Sequence, residues 1–440
     1  MKMFIKISIF LIFSAVILVG LMFAFKICPP KGPWPTPPWC ADKAFIRPTY
    51  NLNLEVSHLN QKKAVNMADT WGRNYNFGMI ENTRDNIDNS FDRVKEIGAE
   101  EVYVHDFHRA VYDDSSKEDF TSLNYKIVDE IFLNDMRDES LTDKDVASLA
   151  EAAHQRGLKL GIKHNMAFVD IGKYLVKGLS GNIESSVNED YKKFNSGHSE
   201  EWIRDFFVKW EARMIERAKI YNKYGVDIMS ITPTWMGPTF SGQEALANEL
   251  WKKLITDLRK EFKGQIHLEL SVYGILDPTN AEEDYSKYDY YKSADIKEVR
   301  LYNFSIDKYK VKNNPTSLDI QKGMSNLLVD LNSWGAQNNT KLTIFFSPFS
   351  YPNAINQGII EYHDILNETT KTTEKNYEHQ ADAWQGFFLG IKELNNLEGI
   401  IASGMWWDDE MDPDVKVKIS ISPSFRNKPA EEVIKQWFQK

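Results

Sequence analysis

The stretch TDKDVASLAEAAHQRGLKLGIKHN, residues 142–165, carries the reading of the fold. Thr142, followed three residues later by Asp145, has the spacing of a helix-capping box. The segment VASLAEAAHQR behind it reads as an amphipathic helix, and Gly157 closes it. A short apolar run, Lys159–His164, then reads as a strand that ends on polar residues. One helix delivering one strand is the repeating unit of a parallel sheet.

The same unit recurs outward in both directions. Expected strands are Tyr75–Ile80, Glu101–His105, Lys159–His164, Asp227–Ile231, Ile266–Val272, Val299–Ile306, Leu342–Phe346 and Ile400–Trp407. Ser90 is read as the cap of FDRVKEI, which Gly98 ends. The longest helix is expected from about Ser199 to Tyr224, stopped by Gly225, with Ile203, Phe206, Phe207, Trp210, Met214 and Tyr221 near one face. After the fifth strand the pattern weakens, and Ala281–Ile296 holds at most a short helix. Eight such units predict a (β/α)8 TIM barrel over residues 45–440. An open doubly wound sheet is the runner-up, disfavoured because no glycine-rich phosphate loop follows the first strand.

Composition narrows the function. With 42% hydrophobic and 26% charged residues, the chain is neither disordered, collagen-like nor coiled coil. Its formal net charge of −10 argues against nucleic acid, whose phosphates need a basic footprint. Ile7 to Phe25 runs 19 residues without a charge, so residues 1–26 read as a signal anchor or a signal peptide. That expectation makes the membrane a partner and places the protein at the cell surface, or outside the cell if the segment is cleaved. Residues 27–44 read as a Pro-rich stalk, with six prolines between Cys28 and Cys40. In an exported protein these two cysteines are a disulfide candidate, with free thiols as the alternative.

In a barrel of this kind, chemistry sits where strands run into the following loops. Strand two ends in VYVHDFHRAVYDD and brings His105, Asp106 and His108 towards the mouth. Strand three brings Lys163, His164 and Asn165, and strand four brings Thr234 and Trp235. In strand five, HLELSVYG, alternation puts His267, Glu269 and Ser271 inside the barrel and Leu268, Leu270 and Val272 outside. Strand six supplies Tyr302, Asn303 and Asp307; strand eight ends in GMWWDDEMDPD, with Trp406 and Asp408. No metal is expected, because no spacing matches a common metal site, and no cofactor is expected. Asn303, Asn338 and Asn367 begin glycosylation sequons.

Aromatic residues and carboxylates around a barrel mouth suggest a carbohydrate ligand. Glycoside hydrolysis uses two carboxylates, one to protonate the leaving oxygen and one to attack the sugar or activate water. Glu269 and Asp408 are the first catalytic candidates and Asp106 the third. His164, Asn165, Trp235, Tyr302 and Trp406 are the candidates for binding substrate, by hydrogen bonds or by stacking.

Three stretches carry a family resemblance: GLKLGIKHNM (157–166), GIIASGMWWDD (399–409) and SPSFRNKPAEEVIKQWF (422–438). The chain resembles the TIM-barrel glycoside hydrolases of family 113, the β-mannanase-like group. That resemblance implies an acid/base glutamate at the end of strand four and a nucleophile glutamate at the end of strand seven. Those places here read SITPTW and FFSPFSYPN, with Thr234 or a neighbour where the acid/base glutamate would stand and Pro348 roughly where the nucleophile would stand. No catalytic pair carries over. Two readings follow: a glycosidase whose carboxylates have moved, or an inactive barrel that binds glycan without cutting it.

Overall fold

The computed structural model describes residues 47–70, 84–112, 122–133, 136–169, 197–281, 283–304, 306–357, 374–407 and 421–440. The chain divides into two compact units, Met1–Pro48 and Thr49–Lys440, and the barrel belongs to the second. The apolar run Ile7–Phe25, the stalk and both cysteines lie outside the described residues. Among those described, no helix is long and apolar enough to cross a membrane.

Eight parallel strands close on themselves. They are β1 (Lys62–Thr70), β2 (Glu101–Tyr112), β3 (Lys159–Val169), β4 (Ile228–Ser230), β5 (Gln265–Leu270), β6 (Ile296–Leu301), β7 (Leu342–Phe346) and β8 (Leu397–Met405). Each pairs with its sequence neighbour, and β8 returns to β1. The barrel expectation therefore holds. Its proposed first strand does not: Tyr75–Ile80 lies outside the described residues, and KKAVNMADT (62–70) takes that place. The inner face of that segment carries Asn66, so it shows no continuous apolar run. The sixth strand starts three residues earlier than expected, at Ile296, which brings Glu298 into the barrel.

Alternation along the strands sorts the side chains. Ala64, Tyr103, Ile228, Ile296, Phe345 and Ile401 form a small apolar plug inside the barrel. Val65, Val102, Leu160, Leu268, Val299, Ile344 and Ile400 belong to the much larger core shared with the helices. Those helices are α1 (Arg84–Ile97), α2 (Asp143–Gln155), α3 (Glu200–Tyr224), α4 (Glu244–Glu261), α5 (Ser317–Gln337), α6 (Tyr377–Ile391) and α7 (Pro429–Gln439). The Thr142–Asp145 capping box is formed, and Ser199 and Gly225 bound α3 as expected. Ser90 is a correction: it lies inside α1, where its hydroxyl donates to the carbonyl of Trp407 at 2.7 Å rather than capping a terminus.

Between β5 and β6 the described residues form a short helix, Val272–Leu276, and two 3-10 turns, Tyr285–Lys287 and Tyr290–Ser293. This stretch walls the barrel mouth and shapes the cleft described below.

The pairing of β1 with β8 slips at Asn66 and Met67, whose partners are Ser403 and Met405, so Gly404 is a bulge. It has φ of +116°, and a Cβ there would lie 2.4 Å from the carbonyl oxygen of Pro423. Gly157 also has positive φ, but nothing would lie within 4 Å of its Cβ. We expect Gly157→Ala to cost about 1 kcal/mol and Gly404→Ala about 3–4 kcal/mol in urea unfolding. Equal costs would contradict this account of the bulge.

Candidate active site

Inside the barrel, β5 and β6 set two glutamates side by side. Glu269 is the register partner of Glu298, and like charges so placed repel. Two cations offset them. Lys163 of β3 donates from Nζ to Glu298 Oε2 at 2.5 Å and lies 3.6 Å from Glu269 Oε1. Arg300 donates through Nε to Glu298 Oε1 at 3.0 Å and through its terminal nitrogen to Glu269 Oε1. His267 Nε2 lies 3.0 Å from Glu298 Oε2, and the Thr234 hydroxyl donates to Glu269 Oε2 at 2.8 Å.

Burial alone would raise the pKa of Glu298, but Lys163, His267 and Arg300 outweigh it and hold the carboxyl well below the usual range. Burial lowers Lys163, against the pull of Glu298. His267, Glu269 and Glu298 could bring ligand atoms within 4.8 Å of one another, as a metal site would. With an ammonium and a guanidinium already on these carboxylates, the set is an ion-pair cluster and does not fit a metal.

Glu269 opens into a cleft of about 710 Å³ at the C-terminal ends of β4, β5 and β6. Arg300 and Tyr302 line the cleft with it, and Trp235 stands at the rim, half exposed. Trp235 has φ of +86°, an outlying conformation for a bulky residue and of the kind that gathers at functional sites. Its ring meets Phe107 edge-on at 4.6 Å. Glu283, Tyr285 and Tyr290 line the same cleft.

Of the sequence candidates, Glu269, Trp235 and Tyr302 therefore share one cleft. Asn165 faces the barrel interior, with its amide 3.0 Å from His105 Nδ1. Asp106 and His164 are corrections in placement. They lie behind the barrel wall, fully buried against α3. The carboxylate of Asp106 accepts from the Leu141 N–H at 2.8 Å, the Tyr221 hydroxyl at 2.9 Å and Arg217 at 2.7 Å. His164 Nδ1 lies 2.7 Å from His108 Nε2. The reason is alternation: Tyr103 and His105 point inward, as do Lys163 and Asn165, so Asp106 and His164 point out. Asp106, His108 and His164 also cluster closely enough for a metal, but Arg217 already occupies the carboxylate.

Trp406 is buried away from the cleft lining, and its carbonyl accepts from Arg426. Asp408 and Asn367 lie outside the described residues. Asp307 is exposed and pairs with Lys310 at 2.7 Å. Asn303, the first sequon, is a buried cleft residue rather than a surface acceptor. Sequence reasoning missed Glu298, Arg300 and Glu283. The first two were legible in EVRLY (298–302), where Glu298, Arg300 and Tyr302 alternate with Val299 and Leu301.

The buried imidazoles make the fold acid-sensitive. Burial, reinforced by nearby cations, lowers His105 and His164 to about 3 each. An unfolded histidine titrates near 6.5, so between the two values the unfolded chain binds a proton that the folded chain does not. Stability then falls as pH drops below about 6.5, by up to about 1.4 kcal/mol per pH unit for each histidine. Asp106, held below its usual range, adds loss in the same direction at still lower pH. Urea midpoints of His164→Gln at pH 7, 5.5 and 4.5 should show a flatter decline than the parent's. A parallel decline would contradict this assignment.

No protein-family model matches the chain, and no curated protein matches it in sequence. Solved structures do match in fold. A GH113 β-mannanase from Alicyclobacillus acidocaldarius, solved in complex with ManMIm, is 15% identical, with 88% of this chain and 98% of that one covered and a TM-score of 0.53. A second GH113 β-1,4-mannanase is 14% identical, covering 87% of this chain and 100% of that one, also with a TM-score of 0.53. A family 5 mannosidase from Rhizomucor miehei is 11% identical, covering 87% and 92%, with a TM-score of 0.51. The expected resemblance to family 113 thus holds at the level of structure, and the chain has the (β/α)8 barrel fold of these glycoside hydrolases.

Proposed function

We propose that this protein is a glycoside hydrolase acting on a polysaccharide or surface glycan, with the Glu269 cleft as its active site. The observation that carries the reading is a carboxylate at the floor of an open cleft, at the barrel end where this fold keeps its chemistry. Trp235 offers a half-exposed ring at the rim for the apolar face of a sugar, and Tyr302 offers a hydroxyl. The fold neighbours' names, β-mannanase and mannosidase, support a carbohydrate ligand. The same proposal puts the protein at the cell surface, tethered by Ile7–Phe25.

One observation favours a second reading, an inactive barrel that only binds glycan. Thr234 lies in the loop beyond β4, in the region where the family 113 resemblance implies the acid/base glutamate, and its hydroxyl instead bonds Glu269. Arg300 holds the other oxygen of that carboxylate.

The test incubates the full-length chain with β- and α-linked polysaccharides and follows reducing-end release, with Glu269→Gln and Asp408→Asn beside it. Release should fall about 100-fold or more in Glu269→Gln. Trp235→Gly, which removes the ring and relaxes the backbone, should melt no lower than the parent. It should weaken glycan binding about tenfold or more. Undiminished release in Glu269→Gln would overturn the site. Saturable binding without release would establish the second reading.

A further inference from the structure

We propose that Thr234 is a positioning residue for Glu269, holding its carboxylate in one orientation in the cleft. The inference rests on the glycosidase reading above and deepens it.

The loop beyond β4 grips Glu269 twice. The Thr232 hydroxyl oxygen accepts from the Glu269 N–H at 2.9 Å, and the Thr234 hydroxyl donates to Glu269 Oε2 at 2.8 Å. One contact fixes the backbone of the residue, and the other fixes the end of its side chain. Arg300 of β6 donates to the other oxygen, Oε1. The terminal torsion of a glutamate is intrinsically broad, so a carboxylate keeps one orientation where both of its oxygens are held. Glu269 is held in that way, from two different elements of the barrel.

The loop is stiff enough to act as a clamp. Pro233 has a fixed φ, and the Thr234 N–H donates to the Thr232 carbonyl at 2.9 Å, closing a tight turn over it. Thr234 and Trp235 then pair with Asn165 and Met166 of β3. Met236 is buried, and its Sδ accepts from the Phe168 N–H at 3.1 Å. Gly237 folds back against the proline, since a Cβ there would lie 2.7 Å from Pro233 Cγ. These contacts tie the backbone that carries the Thr234 hydroxyl to the barrel wall. Trp235 follows directly, so one short loop supplies both the ring at the rim and the hydroxyl that holds the carboxylate.

The same bond has opposite consequences in the two functional readings. Where Glu269 works in catalysis, losing the hydroxyl frees its carboxylate to turn and slows bond cleavage, with glycan affinity kept. Where the bond only ties up an idle carboxylate, losing it leaves release unchanged or raises it.

The experiment compares the full-length parent, Thr234→Val and Thr234→Ser on mannan, carboxymethyl cellulose and soluble starch, with kcat and KM taken from reducing-end release. Valine keeps the shape of threonine without its hydroxyl. Thr234→Val should lower kcat about tenfold or more and change KM less than about twofold. Thr234→Ser, which keeps the hydroxyl, should recover most of that loss, to within about threefold of the parent. Melting temperatures confirm that each variant folds. A Thr234→Val variant as fast as the parent or faster, a loss confined to KM, or a loss that Thr234→Ser does not recover would overturn the positioning role and leave the glycosidase reading standing. A parent that releases no reducing ends from any of the three would end both.

Discussion

The contact between Lys163 and Glu298 is the interaction on which the rest of this site depends. Glu298 is fully buried at the centre of a barrel, beside a second glutamate on the next strand. An isolated charge there would be prohibitively costly, and two like charges more so. Lys163 from across the barrel and Arg300 from the same strand make the arrangement tenable, and Arg300 bridges the two glutamates. Removing one member of such a buried network strands its partner's charge, so the set stands or falls together. Its upper edge, Glu269 together with Arg300, meets the cleft.

A cleft forms above this network because the unit after β5 departs from the barrel pattern. In place of a full helix, the chain folds a tyrosine-rich wall beside the mouth. Trp235, on its left-handed backbone, forms part of the rim. The mouth is therefore polar at its floor and aromatic at its walls, which suits a ligand with hydroxyls at its edges and apolar faces between them.

Much of the barrel was legible in the sequence, because helix periodicity and caps are local signals. The Thr142 box, the Ser199–Tyr224 helix and the strand at Leu342–Phe346 needed no knowledge of their neighbours. The first strand was not legible, since Asn66 breaks its apolar run. The site was legible only where alternation was applied strictly. It was applied to β5, and Glu269 was placed inside correctly. It was not applied to His105–Asp106 or to Lys163–His164, and in each pair the residue expected at the mouth lies behind the wall. Glu283 had no periodic signal at all, because only the folded path of its loop brings it to the cleft.

The central claim is that the cleft above the Lys163–Glu298–Arg300 network is where a glycan binds. The most direct test is a crystal structure of the protein soaked with mannohexaose or cellohexaose, whichever it binds in solution. The account predicts sugar density between Trp235 and Glu283, with a ring hydroxyl or glycosidic oxygen within hydrogen-bond distance of Glu269. Density at another face of the barrel, with this cleft holding only water, would contradict it.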